Sequence, residues 1–175
     1  LYAEAYAKGL IEMQDWTGLG NPMSTQQLLP WLKANGYMFD DCKKGHIKQA
    51  FGYFEKKPEH WSEEDFMGYQ MNEALYETLR LRLELSRSSI KKFDALLRAT
   101  GEDGLLRYVL QFMGAARTAR WAGRTFQPQN LPRPEKRFEK EIEIHAANVA
   151  NLDLPSIEMI YGNVFDVLAS TIRPA

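Results

Sequence analysis

The sequence holds one cysteine, Cys42, in 175 residues, so no disulfide can close within the chain. No other Cys or His stands near it at zinc-ligand spacing, and Cys42 reads as a structural residue. There is no run of about 18 apolar residues and no charged-then-apolar leader, so nothing marks a membrane span or a secretory signal. A soluble, cytoplasmic protein without a membrane partner is the expectation. Neither a Gly-x-x-x-x-Gly-Lys-Ser/Thr loop nor a Gly-x-Gly-x-x-Gly fingerprint occurs, which removes the nucleotide-binding classes built on them. No repeat with a period of about 20 to 50 residues is visible. The chain starts at Leu1 and stops at STIRPA, and it is expected to be a portion of a longer gene product.

Net charge is nearly absent as well, at -1. That balance hides a division along the chain. Arg80 to Arg137 carry 13 Lys and Arg against 5 Asp and Glu, and the rest carries 9 against 18. A third of the sequence is therefore strongly basic, a pattern suited to a polyanion. By itself the charge is better accounted for by a solvated helix surface, so other residues must decide.

The pattern along the chain predicts a mainly α fold. LYAEAYAKGLIEMQDW places Tyr2, Tyr6, Leu10 and Met13 near helical period, and TGLGNP follows as a turn. Ser24 and Gln27 fit an S-x-x-Q capping box, with Gly36 just past the helix end and Pro30 inside it. Ile47, Ala50, Phe51 and Phe54 predict a small helix that ends at Lys56-Lys57-Pro58. Ser62 caps an acidic helix start. One long helix is predicted from Asn72 to Ala99, because no Gly or Pro interrupts it. TGEDG is a turn, and LLRYVLQFMG suits a strand or hairpin arm. Phe138, Ile142, His145 and Val149 predict another helix. PSIEMIYGNVFDVLASTI predicts a last one, stopped by Pro174.

Several chemistries fall away. Ser88-Ser89-Ile90-Lys91 matches S-x-x-K, but the S-D-N and K-T-G companions of penicillin-binding enzymes are missing. His46, His60 and His145 have no ligand-spaced partners. Glu139, Glu141 and Glu143 read as a solvated helix face.

What remains is the basic third. Arg80, Arg82, Arg87, Lys91 and Lys92 are interleaved with Ser86, Ser88 and Ser89, and guanidinium, ammonium and hydroxyl groups are the usual phosphate contacts. TARWAGRTFQPQNLPRP, residues 118 to 134, adds Arg120 and Arg124, then Gln127, Gln129 and Asn130 among prolines. Amides and guanidiniums can donate to the purine N3 and pyrimidine O2 acceptors of the minor groove, which are nearly alike for every base pair. Prolines on either side limit the entropy such amides lose on binding.

The segment LQFMGAARTARWAGRTFQPQNLPRP, residues 110 to 134, resembles the stretch T-G-R-L-S-S-x-x-P-N-L-Q-N-I-P of family A (polymerase-I-like) DNA polymerases, most closely the bacteriophage or prophage type. In that family the stretch joins thumb to palm. Thr118, Ala119 and Arg120 fall on T-G-R, and Gln129, Asn130, Leu131 and Pro132 on Q-N-I-P. The resemblance implies that Arg120 reaches the minor groove at the primer end and the incoming deoxynucleoside triphosphate. Gln127, Gln129 and Asn130 would follow the duplex behind it, with Arg124 as a further DNA contact. NPMSTQQLLPWLKANGY is similar to the family's N-L-S-S-T-K-Q-L thumb segment, which puts Asn21, Ser24 and Thr25 on phosphate-contacting positions. Arg87, Ser88 and Ser89 match the later thumb helix.

By this resemblance the fold would be a helical thumb-like bundle with a long helix and a small extended or β element leading into the palm. Residues 1–104 would be thumb-like, 105–134 the start of the palm, and 135–175 a C-terminal helical segment. Primer-template DNA would be the partner. Two features depart from the family. Ala119 stands where it usually has Gly. The metal-binding Asp residues and the triphosphate-binding helix are missing, so the ligands of the Mg²⁺ expected for the parent polymerase lie outside this chain, which alone should not polymerise. No D-x-E exonuclease pattern is found. The alternative readings are a stand-alone helical duplex-binding or adaptor module, and a helical protein-interaction domain.

Overall fold

The structure, a computed structural model, describes residues 1–88, 91–115, 117–124 and 130–172. These residues are mainly α-helical, as the periodicity predicts, with one two-stranded antiparallel sheet among them. Contacts divide the chain into two units, Tyr6–Ser86 and Arg87–Ala175, with Leu1–Ala5 belonging to the second.

The first unit contains most of α1 (Tyr2–Thr17), and α2 (Thr25–Ala34), α3 (Lys44–Gly52), α4 (Glu63–Gln70) and α5 (Glu73–Leu85). Met13, Leu28, Leu32, Ile47, Leu75, Leu79, Leu81 and Leu85 are almost sealed from solvent. Each contributes about 1.5–3 kcal/mol through the apolar surface it removes from water. At Gly9 an added Cβ would lie 3.1 Å from the Leu85 side chain, so the missing side chain lets α1 close on α5. The Ser62 hydroxyl accepts from the Asp65 amide at 3.1 Å at the head of α4, as its cap position predicts. Gly36, with φ +94°, turns the chain out of α2.

One cap and two boundaries in the sequence reading are corrected here. Ser24 is the N-cap of α2, but its side chain makes no capping bond. Asn21 forms a turn ahead of the helix: its Oδ1 accepts from the Met23 amide at 3.2 Å, and its backbone amide donates to Gln27 Oε1 at 2.9 Å. This turn draws Gln27 to Asn21, and the Ser24 amide is bonded to the Asn21 carbonyl instead. Helix α3 ends at Gly52, short of Lys56. Phe54 lies beyond it and packs on Tyr69 and Tyr76, with ring centroids 4.5 and 5.1 Å apart. The long helix from Asn72 to Ala99 is broken, since α5 stops at Leu85 and α6 (Lys91–Ala99) starts afresh. Three serines crowd this stretch, and serine hydroxyls compete for backbone groups. Ser86 does so, donating to the Leu83 carbonyl at 3.3 Å.

The second unit holds α6, the hairpin strands β1 (Leu110–Ala115) and β2 (Arg120–Gly123), and a 3₁₀ turn over Glu139–Glu141. After these come α7 (Ile142–Asn151), α8 (Leu154–Tyr161) and α9 (Val164–Thr171). The strand expected in LLRYVLQFMG is β1. Helices α7 and α8 pack on α9, with Phe138, Ile142, Leu154, Ile157, Phe165, Val167 and Leu168 buried. The single last helix of the sequence reading is two helices. Gly162 adopts φ +71° after α8, and Asn163 Oδ1 caps α9 by accepting from the Phe165 and Asp166 amides. A residue free to turn left-handed followed by a strong cap stops one helix and starts another. The stop assigned to Pro174 lies outside the described residues.

Candidate nucleic-acid interface

The hairpin follows from its register. Leu110 pairs with Gly123, Gln111 with Ala122 and Ala115 with Arg120, and the register shifts between Gln111 and Ala115. Side chains alternate across a strand, so Arg120, Ala122 and Arg124 lie on one side together with Gln111. Trp121 and Phe112 lie on the other and meet edge to face at 5.2 Å. Both rings are largely exposed, Phe112 at 66% and Trp121 at 61%. The shift absorbs its extra residue where Met113 has φ +52°, and Ala119 leads into β2 with φ +52°.

The polar side of the hairpin carries the two guanidiniums singled out from the sequence. Arg124 Nε donates to Gln111 Oε1 at 2.9 Å, and the Arg124 amide holds the Val109 carbonyl at 2.7 Å. Arg120 is exposed and has no ion-pair partner among the described residues. In an extended strand, residues four apart are separated by about 13 Å. The two residues therefore lie on one side of the hairpin, about 13 Å apart along the backbone. Gln111 was missed in the sequence, and only the register brings it beside Arg124.

Asn130 is exposed, and its backbone carbonyl accepts from the Lys92 ammonium of α6. The basic helix and the amide segment therefore meet at one described contact. Gln127, Gln129 and Ser89 lie outside the described residues. Ser88 is exposed in the break after α5.

Arg87 is paired with Asp166 of α9, whose other carboxylate oxygen accepts from Arg137 at 2.6 Å. Neither Asp166 nor Arg137 was legible as a partner of Arg87, because the pairing spans 79 residues.

Asn21, Ser24 and Thr25 belong to the first unit, at the start of α2. Asn21 and Thr25 are exposed and Ser24 is half-buried. Arg82 supports this turn, donating to the Met23 carbonyl at 2.9 Å.

The structure also corrects the reading of Arg80 as part of a phosphate-facing row. Its guanidinium is bound by Glu77 at 2.6 Å, Glu12 at 2.9 Å and Glu84 at 3.2 Å. Burial works against its charge, but the Glu77 hydrogen bond and the surrounding carboxylates outweigh it and raise its pKa above the ordinary value. Three carboxylates around one cation leave no positive field for a phosphate. Arg80 is a structural cation.

Among the described residues, no group of three His, Cys, Asp or Glu could hold a metal ion, and no helix is long and apolar enough to cross a membrane. What fold and site define is a mainly helical protein that exposes guanidiniums on one side of a short hairpin. The chain is 35% identical over 173 residues, 98% of its length, to a DNA polymerase of Bacillus phage SP02. It spans 24% of that relative's length. No family model matches the chain, and no solved structure matches it.

Proposed function

We propose that this chain is the primer-template-gripping portion of a phage-type DNA polymerase of the family A kind. Residues 1–104 would form its thumb and 105–134 the first elements of its palm. The observation that carries the reading is the likeness to a phage DNA polymerase along 98% of the chain. The hairpin supports it, since Arg120 and Arg124 share one exposed side in the segment that resembles the family's duplex-contacting stretch. Arg120, Arg124 and the amides of Gln127, Gln129 and Asn130 would follow the minor groove, whose acceptors are alike for all pairs. Asn21, Ser24, Thr25, Arg87, Ser88 and Ser89 would hold phosphates, which fix position without reading sequence. Nucleotidyl transfer in the cytoplasm, with a deoxynucleoside triphosphate as substrate and Mg²⁺ as cofactor, would belong to the longer protein. The Mg²⁺ ligands would lie outside this chain.

The test is binding of the chain to a primer-template duplex and to a single strand of equal length at two salt concentrations. Duplex preference indifferent to sequence and weakening with salt is expected, because phosphate contacts release counterions. Arg120→Ala should weaken duplex binding by about tenfold, within the cost of losing one groove contact. Lys44→Ala, in α3, should change it little. Equal losses for the two would sink the role given to Arg120.

A further inference from the structure

We propose that Arg87 and Arg137 form a phosphate-binding site that the Asp166 carboxylate fills in the free protein. The two guanidiniums come from distant parts of the second unit, the break after α5 and the chain before the 3₁₀ turn. They converge on one carboxylate, Arg87 on Oδ1 and Arg137 on Oδ2 at 2.6 Å. Guanidinium forks match the oxygens of carboxylate and phosphate alike, so the geometry that holds Asp166 also suits a phosphate group.

Access and support distinguish the cluster from a sealed structural bridge. The Arg137 side chain is 50% exposed and that of Arg87 29%, against 16% for Asp166. An anion from solvent can therefore reach both donors while the carboxylate sits behind them. Arg137 is held in place by other groups: Nε donates to Glu135 at 2.9 Å, and the guanidinium lies 4.5 Å over the ring of buried Phe138. It keeps its position when its bond to Asp166 is given up. The charges of Arg87, Arg137, Asp166 and Glu135 cancel. The free protein thus offers little attraction here until Asp166 is displaced or neutralised.

The ligand is a phosphate group, and a nucleic-acid backbone is its source. The assignment of that source rests on the duplex-gripping reading. Arg87 was singled out as a backbone contact, so Asp166 would act as an internal competitor for it. Competition of this kind discriminates against single phosphates and favours a duplex, whose neighbouring contacts help displace the carboxylate.

Asp166→Asn tests the proposal in the full chain, with two probes. Inorganic phosphate is titrated while the Arg87 and Arg137 side-chain Nε–H signals are followed by NMR. In Asp166→Asn both signals should shift and saturate at phosphate concentrations about tenfold lower than in the unsubstituted chain, since the internal competitor has lost its charge. Adding Arg137→Gln should abolish the response. A duplex of either of two unrelated sequences should bind Asp166→Asn about fivefold tighter, with a salt slope steeper by about 0.9, the value for one more phosphate contact.

No phosphate response in a variant that melts normally overturns the site. A phosphate response without tighter duplex binding overturns the nucleic-acid backbone as its source. If no form of the chain binds duplex while phosphate still binds the variant, the duplex-gripping reading fails and the anion site stands. Should Asp166→Asn fail to fold, Arg137→Gln in the otherwise unchanged chain replaces it. A loss of duplex affinity of about threefold with unchanged melting then supports the site, and no loss overturns it.

Discussion

Arg80 and Arg120 carry the same group and lie in the same basic run, yet the two units use them in opposite ways. In the first unit Arg80 is enclosed by Glu77, Glu12 and Glu84, two of them neighbours on its own helix at i−3 and i+4. In the second, Arg120 projects from a strand, where its neighbours in sequence, Ala119 and Trp121, face elsewhere, and it is exposed. A helix lets carboxylates three or four residues away reach a cation. A strand sends adjacent side chains to opposite faces. Secondary structure therefore decides which positive charges of the run stay available to a partner, and summed charge does not.

The exposed half of this comparison depends on the hairpin keeping its register, and Gly114 is where that is most easily broken. A Cβ there would lie 2.6 Å from the Ala122 Cβ and 3.1 Å from that of Gln111. Neither atom can rotate away, because both are attached directly to the backbone. Gly114→Ala should destabilise the hairpin by about 2–3 kcal/mol, as overpacking does elsewhere. The readout is hydrogen exchange at the Arg124 amide, which is bonded to Val109. It should speed up by at least about thirtyfold, and duplex affinity should fall with it. Unchanged exchange would mean that strand pairing near Gly114 is not as described.

The enclosed half is tested by Arg80→Ala. Removing the cation takes from half-buried Glu12, Glu77 and Glu84 the guanidinium they share. Because Arg80 and Glu12 are partly exposed, solvent screens their charges, and a loss of about 1–2 kcal/mol in urea unfolding is expected. Duplex affinity of the folded variant should be unaltered. Arg120→Ala should show the reverse profile, a binding loss with stability changed by less than about 0.5 kcal/mol, as for surface substitutions generally. If Arg80→Ala weakens binding as much as Arg120→Ala at equal folded fraction, the division into structural and available cations is wrong.

What the sequence revealed follows the range of the interactions. Local signals were legible: Ser62 at the head of α4, Gly36 after α2, and the apolar pattern of β1. Boundaries set by competition were not. No Gly or Pro announces the break at Ser86, where hydroxyl and backbone contend, and Gly162-Asn163 was absorbed into an apolar pattern that continues across it. At the candidate interface, Arg120, Arg124 and Asn130 came from the sequence. Lys92 did too, though its bond to Asn130 did not, and Gln111 and Asp166 were missed, because strand register and long-range pairs leave no local trace. Arg80 was misread for the same reason. Its i−3 and i+4 carboxylates were visible, but Glu12, 68 residues away, was not.

The smallest expected effect sharpens the comparison at the residue before Arg120. Ala119 has φ +52°, a left-handed conformation that costs a residue with a Cβ about 1–2 kcal/mol and costs glycine nothing. Ala119→Gly removes that cost but loosens the unfolded chain, which takes back about 0.5–1 kcal/mol. A net gain of about 0.5 kcal/mol in hairpin stability is the expected balance, seen as slower exchange at the Arg124 amide. The gain should leave Arg120 exposed and duplex affinity the same or slightly higher, since a settled turn loses less entropy on binding. Faster exchange in Ala119→Gly would mean that the turn does not need a left-handed residue. In that case the backbone enters β2 by a different path from the one Ala119 now sets.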